Sequence, residues 1–507
     1  MRVFPRLFTT SVAIFLLAGC QPASLHQPAM LPNGGTLEAA AQSCGAGSNE
    51  TLDAVEACIK RDSLWQHLAH FQKIADENPG PKGHGNRDTG TPGYAASVAY
   101  VAKVMRDAGY DVTIQEYNYK KSEVIDTPSF GSATHAYALD RDWLVARQSG
   151  GGTVTAVISP PHGARSGCSA GDFAGFGRGE VALLEESAAC DFDEQVHNAR
   201  AAGAGAVVLY ASTSEQPTHE ARLMALADIP VIGVTTRALG DELLQRYRSG
   251  APTVHVDVRV KRSSDVDYNV IADSRYGNPQ RVVVVDAHLD AIYGAGMLDN
   301  ASGSTTILET ALDMAKTHTR NRLRYIWFGG EEIGLLGSRY YTKQLSHAEL
   351  HRIAFDVDVD VTATPNFDIL VANPKFAKKA KRFPPNVIPQ SRIGNRYFAG
   401  FFKKGGVVSR NARFGNDGTD SFSFALAGVP NTGILTGQDC CKQPWETKLW
   451  GGYRGNYEGK IPSFNGGCVD HPHRWCDNLD NNDPFVLELT TKAVAYVVFE
   501  LANRRFP

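Results

Sequence analysis

The sequence predicts an α/β protein: a mixed, mainly parallel sheet flanked by helices, with a smaller α/β unit inserted in it. Three observations predict this. From about residue 268 onward, short apolar runs alternate with amphipathic helical periods, the pattern of strand–helix–strand crossovers. Helical periods also fill residues 51–109, ahead of a lone strand. Between these regions, from about 132 to 260, short strand-like runs sit among glycine-rich loops. With 507 residues, more than one core is expected.

The elements follow in order. Leu64, Leu68, Phe71 and Ile74 share one helical face, and Val98, Val101, Val104 and Met105 another. Asn86-Arg87-Asp88-Thr89-Gly90-Thr91-Pro92-Gly93 between them reads as a turn-rich loop, and 112–115 as a strand. In the middle region, 154–158, 181–184, 206–210 and 231–234 read as strands, with a helix near 193–202. Beyond it come strands at 282–285, 323–328, 353–359 and 432–435, a helix at 304–316 and a final amphipathic helix at 484–503.

Hydrophobic residues at 43% and charged residues at 21% describe a soluble globular protein, and a formal charge of −3 argues against a nucleic-acid-binding surface. The N-terminus reads as a targeting segment. Arg2 and Arg6 precede an apolar stretch at 7–18 that is too short to span a bilayer. Leu17-Ala18-Gly19-Cys20 resembles a bacterial lipobox, which makes 1–20 a signal peptide and Cys20 a lipid-bearing residue, the expected membrane attachment. Gln21 resembles outer-membrane sorting of a cell-envelope lipoprotein; a plain secretory signal is the alternative, and both export the chain. Residues 21–43, rich in Pro, Ala and Gly, read as a flexible tether.

Without Cys20, eight cysteines remain, an even number that suits disulfides in an oxidising compartment. Their grouping suggests Cys44 with Cys58, Cys168 with Cys190, and two bridges among Cys440, Cys441, Cys468 and Cys476. No C-x-x-C pair supports a structural zinc site.

Chemistry-bearing residues gather after the strands. Asp286, His288 and Asp290 follow 282–285, with Asp299 a short loop later; Glu331-Glu332 follow 323–328; Asp360 follows 353–359; His473 stands late in the chain. Ligands of open α/β sheets bind outside the carboxyl ends of the strands, so these groups should converge. Such convergence is costly unless cations hold it together. His, Asp and Glu without thiolate suit zinc, with cobalt or manganese also compatible. Two divalent ions balance Asp299, Asp360, Glu332 and one hydroxide, leaving Glu331 free as a base.

These residues lie in Val285-Asp286-Ala287-His288-Leu289-Asp290, Leu298-Asp299-Asn300-Ala301-Ser302-Gly303, Phe328-Gly329-Gly330-Glu331-Glu332-Ile333-Gly334, Asp360-Val361-Thr362-Ala363-Thr364-Pro365-Asn366 and His473-Arg474-Trp475-Cys476-Asp477. In this order the five segments resemble the M28 family of di-zinc exopeptidases. The resemblance implies the fold of those enzymes, with 44–131 and 261–507 forming one discontinuous peptidase domain. It implies that His288 and Asp360 hold one zinc, Glu332 and His473 the other, and that Asp299 bridges them. Glu331 would be the general base and Asp290 would orient His288; Thr419-Asp420 resembles a supporting Ser-Asp pair of the family.

Two departures stand out. The family's last histidine usually follows a tyrosine, whereas here the run is Asp470-His471-Pro472-His473; the H-x-x-C-D spacing selects His473, with His471 the alternative. Asp360 ends an Asp356-Val357-Asp358-Val359 run whose period places three aspartates on one side, and the following Thr-Pro-Asn favours Asp360.

Residues 132–260 resemble a protease-associated (PA) domain, carried by Gly167-Cys168 to Asp172-Phe173, Gly179-Glu180-Val181-Ala182-Leu183-Leu184 and Cys190-Asp191-Phe192. Such an insert implies no catalytic group; a lid and a stabilising insert are both open. Two competing signals are set aside. Gly167-Cys168-Ser169-Ala170-Gly171 lacks the strand and helix of a nucleophile elbow. His347-Ala348-Glu349-Leu350-His351 has its glutamate misplaced for a zincin and reads as a surface helix.

The expected function is removal of N-terminal residues from peptides by a metal-activated water. Three alternatives remain: a carboxypeptidase of the same family, a glutaminyl-cyclase-type acyltransferase on one zinc, and a metal-free binding protein on the same fold.

Overall fold

The computed structural model describes residues 49–80, 83–139, 141–187, 189–212, 223–250, 253–292, 294–377, 380–415, 418–438, 442–458 and 477–506. The segments read as signal and tether, both His471 and His473, and Cys44, Cys440, Cys441, Cys468 and Cys476 lie outside the described residues.

The chain opens with helices α1 (Leu52–Cys58), α2 (Arg61–Glu77) and α3 (Pro92–Asp107). Thr51 and Thr91 cap α1 and α3 by accepting the Ala54 and Tyr94 N–H groups, and Pro92 starts α3 where no N–H is needed. Strand β1 (Asp111–Val124) then leads into a second unit. This unit holds β2 (Ser129–Ser132), β3 (His135–Tyr137), β4 (Trp143–Val145), β5 (Gly152–Ser159), β6 (Val181–Glu185), α4 (Phe192–Ala201), β7 (Ala206–Tyr210), β8 (Val231–Val234), α5 (Arg237–Arg248) and β9 (Thr253–Val258). Strand β10 (Val260–Asp273) returns antiparallel along the whole of β1, from Val124↔Val260 to Asp111↔Asp273.

The remaining elements are β11 (Asn278–His288), α6 (Ser302–Met314), β12 (Asn321–Phe328), α7 (Leu336–Gln344), α8 (His347–Arg352), β13 (Ile353–Val359), β14 (Leu370–Ala372), α9 (Val387–Lys404), β15 (Arg410–Ala412), α10 (Ser421–Leu426), β16 (Asn431–Leu435), α11 (Pro444–Trp450) and α12 (Pro484–Asn503). They complete a sheet of order β1-β10-β12-β11-β13-β16-β14-β15. Its centre is parallel, with β11 between β12 and β13 and β13 beside β16. The second sheet, β3-β2-β9-β5-β6-β7-β8-β4, is mixed around the parallel run β5-β6-β7-β8.

Alternation sorts the main sheet's side chains. Val283, Val285 and Ala287 join Phe355, Val357 and Val359 under α2, α3, α6, α9 and α12. Val282, Val284, Ile326 and Phe328 face Tyr341 of α7 and Phe424 of α10. The second sheet has its own apolar clusters on both faces, around Val181, Leu183 and Val208 and around Ala182, Leu184 and Val207.

The strand expected at 112–115 is the start of a far longer β1, and β10 follows a stretch the sequence left unassigned. Both run as a ribbon whose distal residues, such as Lys261 and Arg262, are exposed, so no apolar alternation marks them. Ser169 caps a single 3₁₀ turn, Ala170–Phe173, with no elbow around it. The histidines 347 and 351 lie on α8, none of whose residues is buried. Cys168 is bonded to Cys190, and Cys58 is also disulfide-bonded. These bonds fit an oxidising, extracytoplasmic compartment. Among the described residues, no helix is long and apolar enough to cross a membrane.

Candidate metal centre

Strand β11 ends in His288, whose carbonyl accepts the Ser304 hydroxyl at 2.7 Å. Its Nδ1 donates to the backbone carbonyl of Asp290 at 3.0 Å, which directs Nε2 to the carboxyl end of the sheet. There Nε2 lies 3.0 Å from Asp299 Oδ1 and 3.4 Å from Asp360 Oδ1. One ligand atom from each of these three residues fits within 4.8 Å of the others, so His288, Asp299 and Asp360 form a group able to hold a metal ion.

The surroundings suit a cation. Burial opposes a charged imidazole, yet Glu331, Asp290, Asp299 and Asp360 together raise the His288 pKa well above its ordinary value. Burial, then Asp299, pushes Asp360 up to about 6. Asp360 Oδ1 has no hydrogen-bond partner among the described residues. An imidazole and carboxylates held this way match the donor set of zinc, cobalt or manganese.

The loop before α6 positions Asp299. The Asp477 carboxylate accepts the Leu298 and Asp299 N–H groups at 2.8 and 3.0 Å, and Gln438 Nε2 donates to Asp299 Oδ2 at 2.8 Å. Asn300 joins this loop to the end of β13. It donates to Val359 O at 3.0 Å and accepts from Val361 N at 3.1 Å and Gly303 N at 2.9 Å. Gly303 is required by crowding, since a Cβ there would sit 2.3 Å from Val359 O.

Glu331 and Glu332 follow β12 and are 5% and 2% exposed, unlike an ordinary solvated pair. The Asp290 carboxylate accepts their N–H groups at 3.2 and 3.3 Å and the Thr89 hydroxyl at 2.7 Å. It thus meets the glutamate loop more closely than the His288 ring, from whose Nδ1 its Oδ1 stands 3.6 Å away. The fully buried Arg87 clamps the segment from Leu289 to Gly296 by donating to Leu289, Ala295 and Gly296 carbonyls at 2.8, 2.8 and 2.9 Å.

Behind the centre, Asp286, Asp356, Asp358 and Asp420 are buried together. Burial first, then neighbouring carboxylates, hold Asp286 and Asp356 well above the usual carboxylate range. Asp358 accepts the Thr419 hydroxyl and the Ser421 N–H, so Thr419-Asp420 supports β13 and does not reach His288 directly. The strand period sends Asp356 and Asp358 into this cluster and only Asp360 to His288.

The structure therefore brings His288, Asp299, Asp360, Asp290, Glu331 and Glu332 to one end of the sheet, while His473 lies outside the described residues. Sequence reasoning gave no role to Arg87, Thr89, Asn300, Gln438 or Asp477. Arg87 and Thr89 stood in a marked turn and Asn300 and Asp477 inside two of the motifs, but nothing in the sequence signalled Gln438.

Residues 269–498 match peptidase family M28, and residues 152–243 match the PA domain. An aminopeptidase of Pseudomonas aeruginosa is 30% identical over 457 residues, covering 87% of this chain and 80% of its own. A protein of Mycobacterium tuberculosis described as "Probable lipoprotein aminopeptidase LpqL" is 30% identical over 98% of this chain and 94% of its own. The chain belongs to peptidase family M28. A solved aminopeptidase from Aneurinibacillus sp. strain AM-1 superposes on this M28 chain with a TM-score of 0.66 at 21% identity, covering 90% of this chain and 97% of that one. That likeness shows a shared fold.

Proposed function

We propose that this M28 chain is an exported aminopeptidase that hydrolyses the first peptide bond of peptides with two zinc ions. The observation that carries the reading is the convergence of His288, Asp299 and Asp360 beside the pinned Glu331-Glu332 loop. In this reading His288 and Asp360 would hold one ion, Glu332 and His473 would hold the other, and Asp299 would serve both. Bound ions supply Lewis acidity at the scissile carbonyl and make a water acidic enough to attack near neutral pH.

Glu331 would act as the general base, taking a proton from the attacking water and handing it to the leaving amine. Asp290 fixes where Glu331 stands through the backbone N–H, and its carbonyl fixes the His288 tautomer. Gln438 and Asp477 hold Asp299 against rotation. The descriptions of the Pseudomonas and Mycobacterium relatives support an aminopeptidase over a carboxypeptidase. The lipoprotein description of the latter supports a lipid on Cys20 and a place in the cell envelope.

The test is hydrolysis of leucyl-anilide and its N-acetylated form, each before and after chelation. Cleavage of the free-amine form alone, lost on chelation and restored by zinc, is expected. Failure of the fully metallated protein to cleave either form, with release of C-terminal residues from blocked peptides, assigns a carboxypeptidase instead.

A further inference from the structure

The second sheet does more than sit beside the peptidase sheet. Its edge strand β4 pairs antiparallel with β8, and the chain then turns through Ala146-Arg147-Gln148-Ser149-Gly150. That turn is fastened to its own unit: Ala146 N donates to Val231 O, Gly150 N to Ile229 O, and Val231 N to the Ser149 hydroxyl, at 2.9, 3.0 and 2.9 Å. Gln148 takes a left-handed φ of 59°, and its carbonyl accepts Ala227 N at 2.9 Å. The turn is thus built to present the Arg147 and Gln148 side chains outward.

Both reach the loop after β12. Arg147 Nη1 donates to the Glu332 carbonyl at 2.5 Å and lies 3.8 Å from Glu332 Oε2. Gln148 Nε2 donates to the Ile333 carbonyl at 3.3 Å. The same unit meets the start of α7, just past the loop, at Met224, whose carbonyl accepts Arg339 Nη1 at 2.9 Å. Met224 lies so close to Gly334, at φ +119°, that a Cβ there would stand 3.1 Å from its backbone. The Arg147 side chain is 10% exposed and that of Glu332 1%, so this contact is shielded from solvent.

The glutamate loop is therefore held from two sides. Asp290 takes its N–H groups from within the peptidase sheet, and Arg147 takes the Glu332 carbonyl from the second sheet. The geometry points to Arg147 as a positioning residue through which the inserted unit fixes Glu332 as a metal ligand. This rests on the reading of Glu332 as a ligand. Arg147 touches neither substrate nor, in this reading, an ion; it acts by fixing the backbone of a residue that does. Groups behind a ligand typically change metal affinity 10–100-fold, and that range sets the expected effect.

The experiment titrates zinc into chelated wild type, Arg147→Ala, Arg147→Lys and Glu332→Gln against a chromogenic chelator, and melts each chelated protein. Arg147→Ala is expected to weaken one zinc by roughly 10–100-fold and leave the other unchanged. Its chelated form should melt within about 2 °C of wild type, and Arg147→Lys should recover part of the affinity. Loss of one zinc in Glu332→Gln with wild-type affinities in Arg147→Ala overturns the inference and leaves the Glu332 reading standing. Two tight zincs in Glu332→Gln overturn the reading itself. Equal and large losses of melting temperature in both Arg147 variants make the residue a packing element and also overturn the inference.

Discussion

The Asp290 carboxylate accepts the Glu331 backbone N–H at 3.2 Å, so the residue two positions after His288, a proposed metal ligand, also fixes the proposed base. Its other oxygen takes Glu332 N and the Thr89 hydroxyl. Asp290→Asn sets an amide N–H against one of these donors. Zinc affinity is expected to fall by roughly 10–100-fold with the fold intact, measured by chelator competition alongside circular dichroism.

Glu331→Ala separates proton transfer from metal binding. Zinc content should stay at the wild-type level while kcat falls by roughly 100–10,000-fold. Metal analysis and anilide hydrolysis on the same sample check both halves.

His473→Ala should remove one zinc and His471→Ala none, since the H-x-x-C-D spacing marks His473. The reverse result moves the ligand two residues upstream.

The sequence displayed the central sheet and its chemistry because both are local signals. Residues 282–285 read as a buried strand and belong to β11; His288 ends that strand, Asp290, Glu331, Glu332 and Asp360 fall just beyond strand ends, and Asp299 lies in the loop before α6. Supporting contacts were less visible. Arg147 is 185 residues from Glu332 and Gln438 is 139 from Asp299, so only the fold makes them neighbours. The period did place Asp356, Asp358 and Asp360 on one side, but it could not show that a parallel neighbour, Asp286, draws the first two into a separate cluster. Beyond the 112–115 that the sequence marked, the distal part of the β1–β10 ribbon was illegible because paired polar strands in solvent carry no apolar alternation.

Arg87 is buried and satisfies three carbonyls of the 289–296 segment. Arg87→Ala leaves those acceptors without their donor inside the protein. A destabilisation of about 3 kcal/mol or more is expected, read as a lower melting temperature of the chelated protein.

Asp313, on α6 away from the centre, is pushed up to about 8 by burial and then by Glu309. An exposed aspartate titrates near 4, at about 3.9, so between these values the folded protein keeps a proton that the unfolded chain has released. Its contribution to stability is therefore lost as pH rises from about 4 through 8. Asp313→Asn, which cannot ionise, should melt above wild type at pH 9 and approach it at pH 5. An equal difference at both pH values would contradict the assignment.

The most direct test of the account is the hydrolysis rate of leucyl-anilide by chelated protein as zinc is added back in measured equivalents. The account predicts no activity without metal and a rise that saturates at the second equivalent. Full activity in the chelated protein would contradict a metal centre at His288, Asp299 and Asp360, and saturation at the first would contradict a pair of ions.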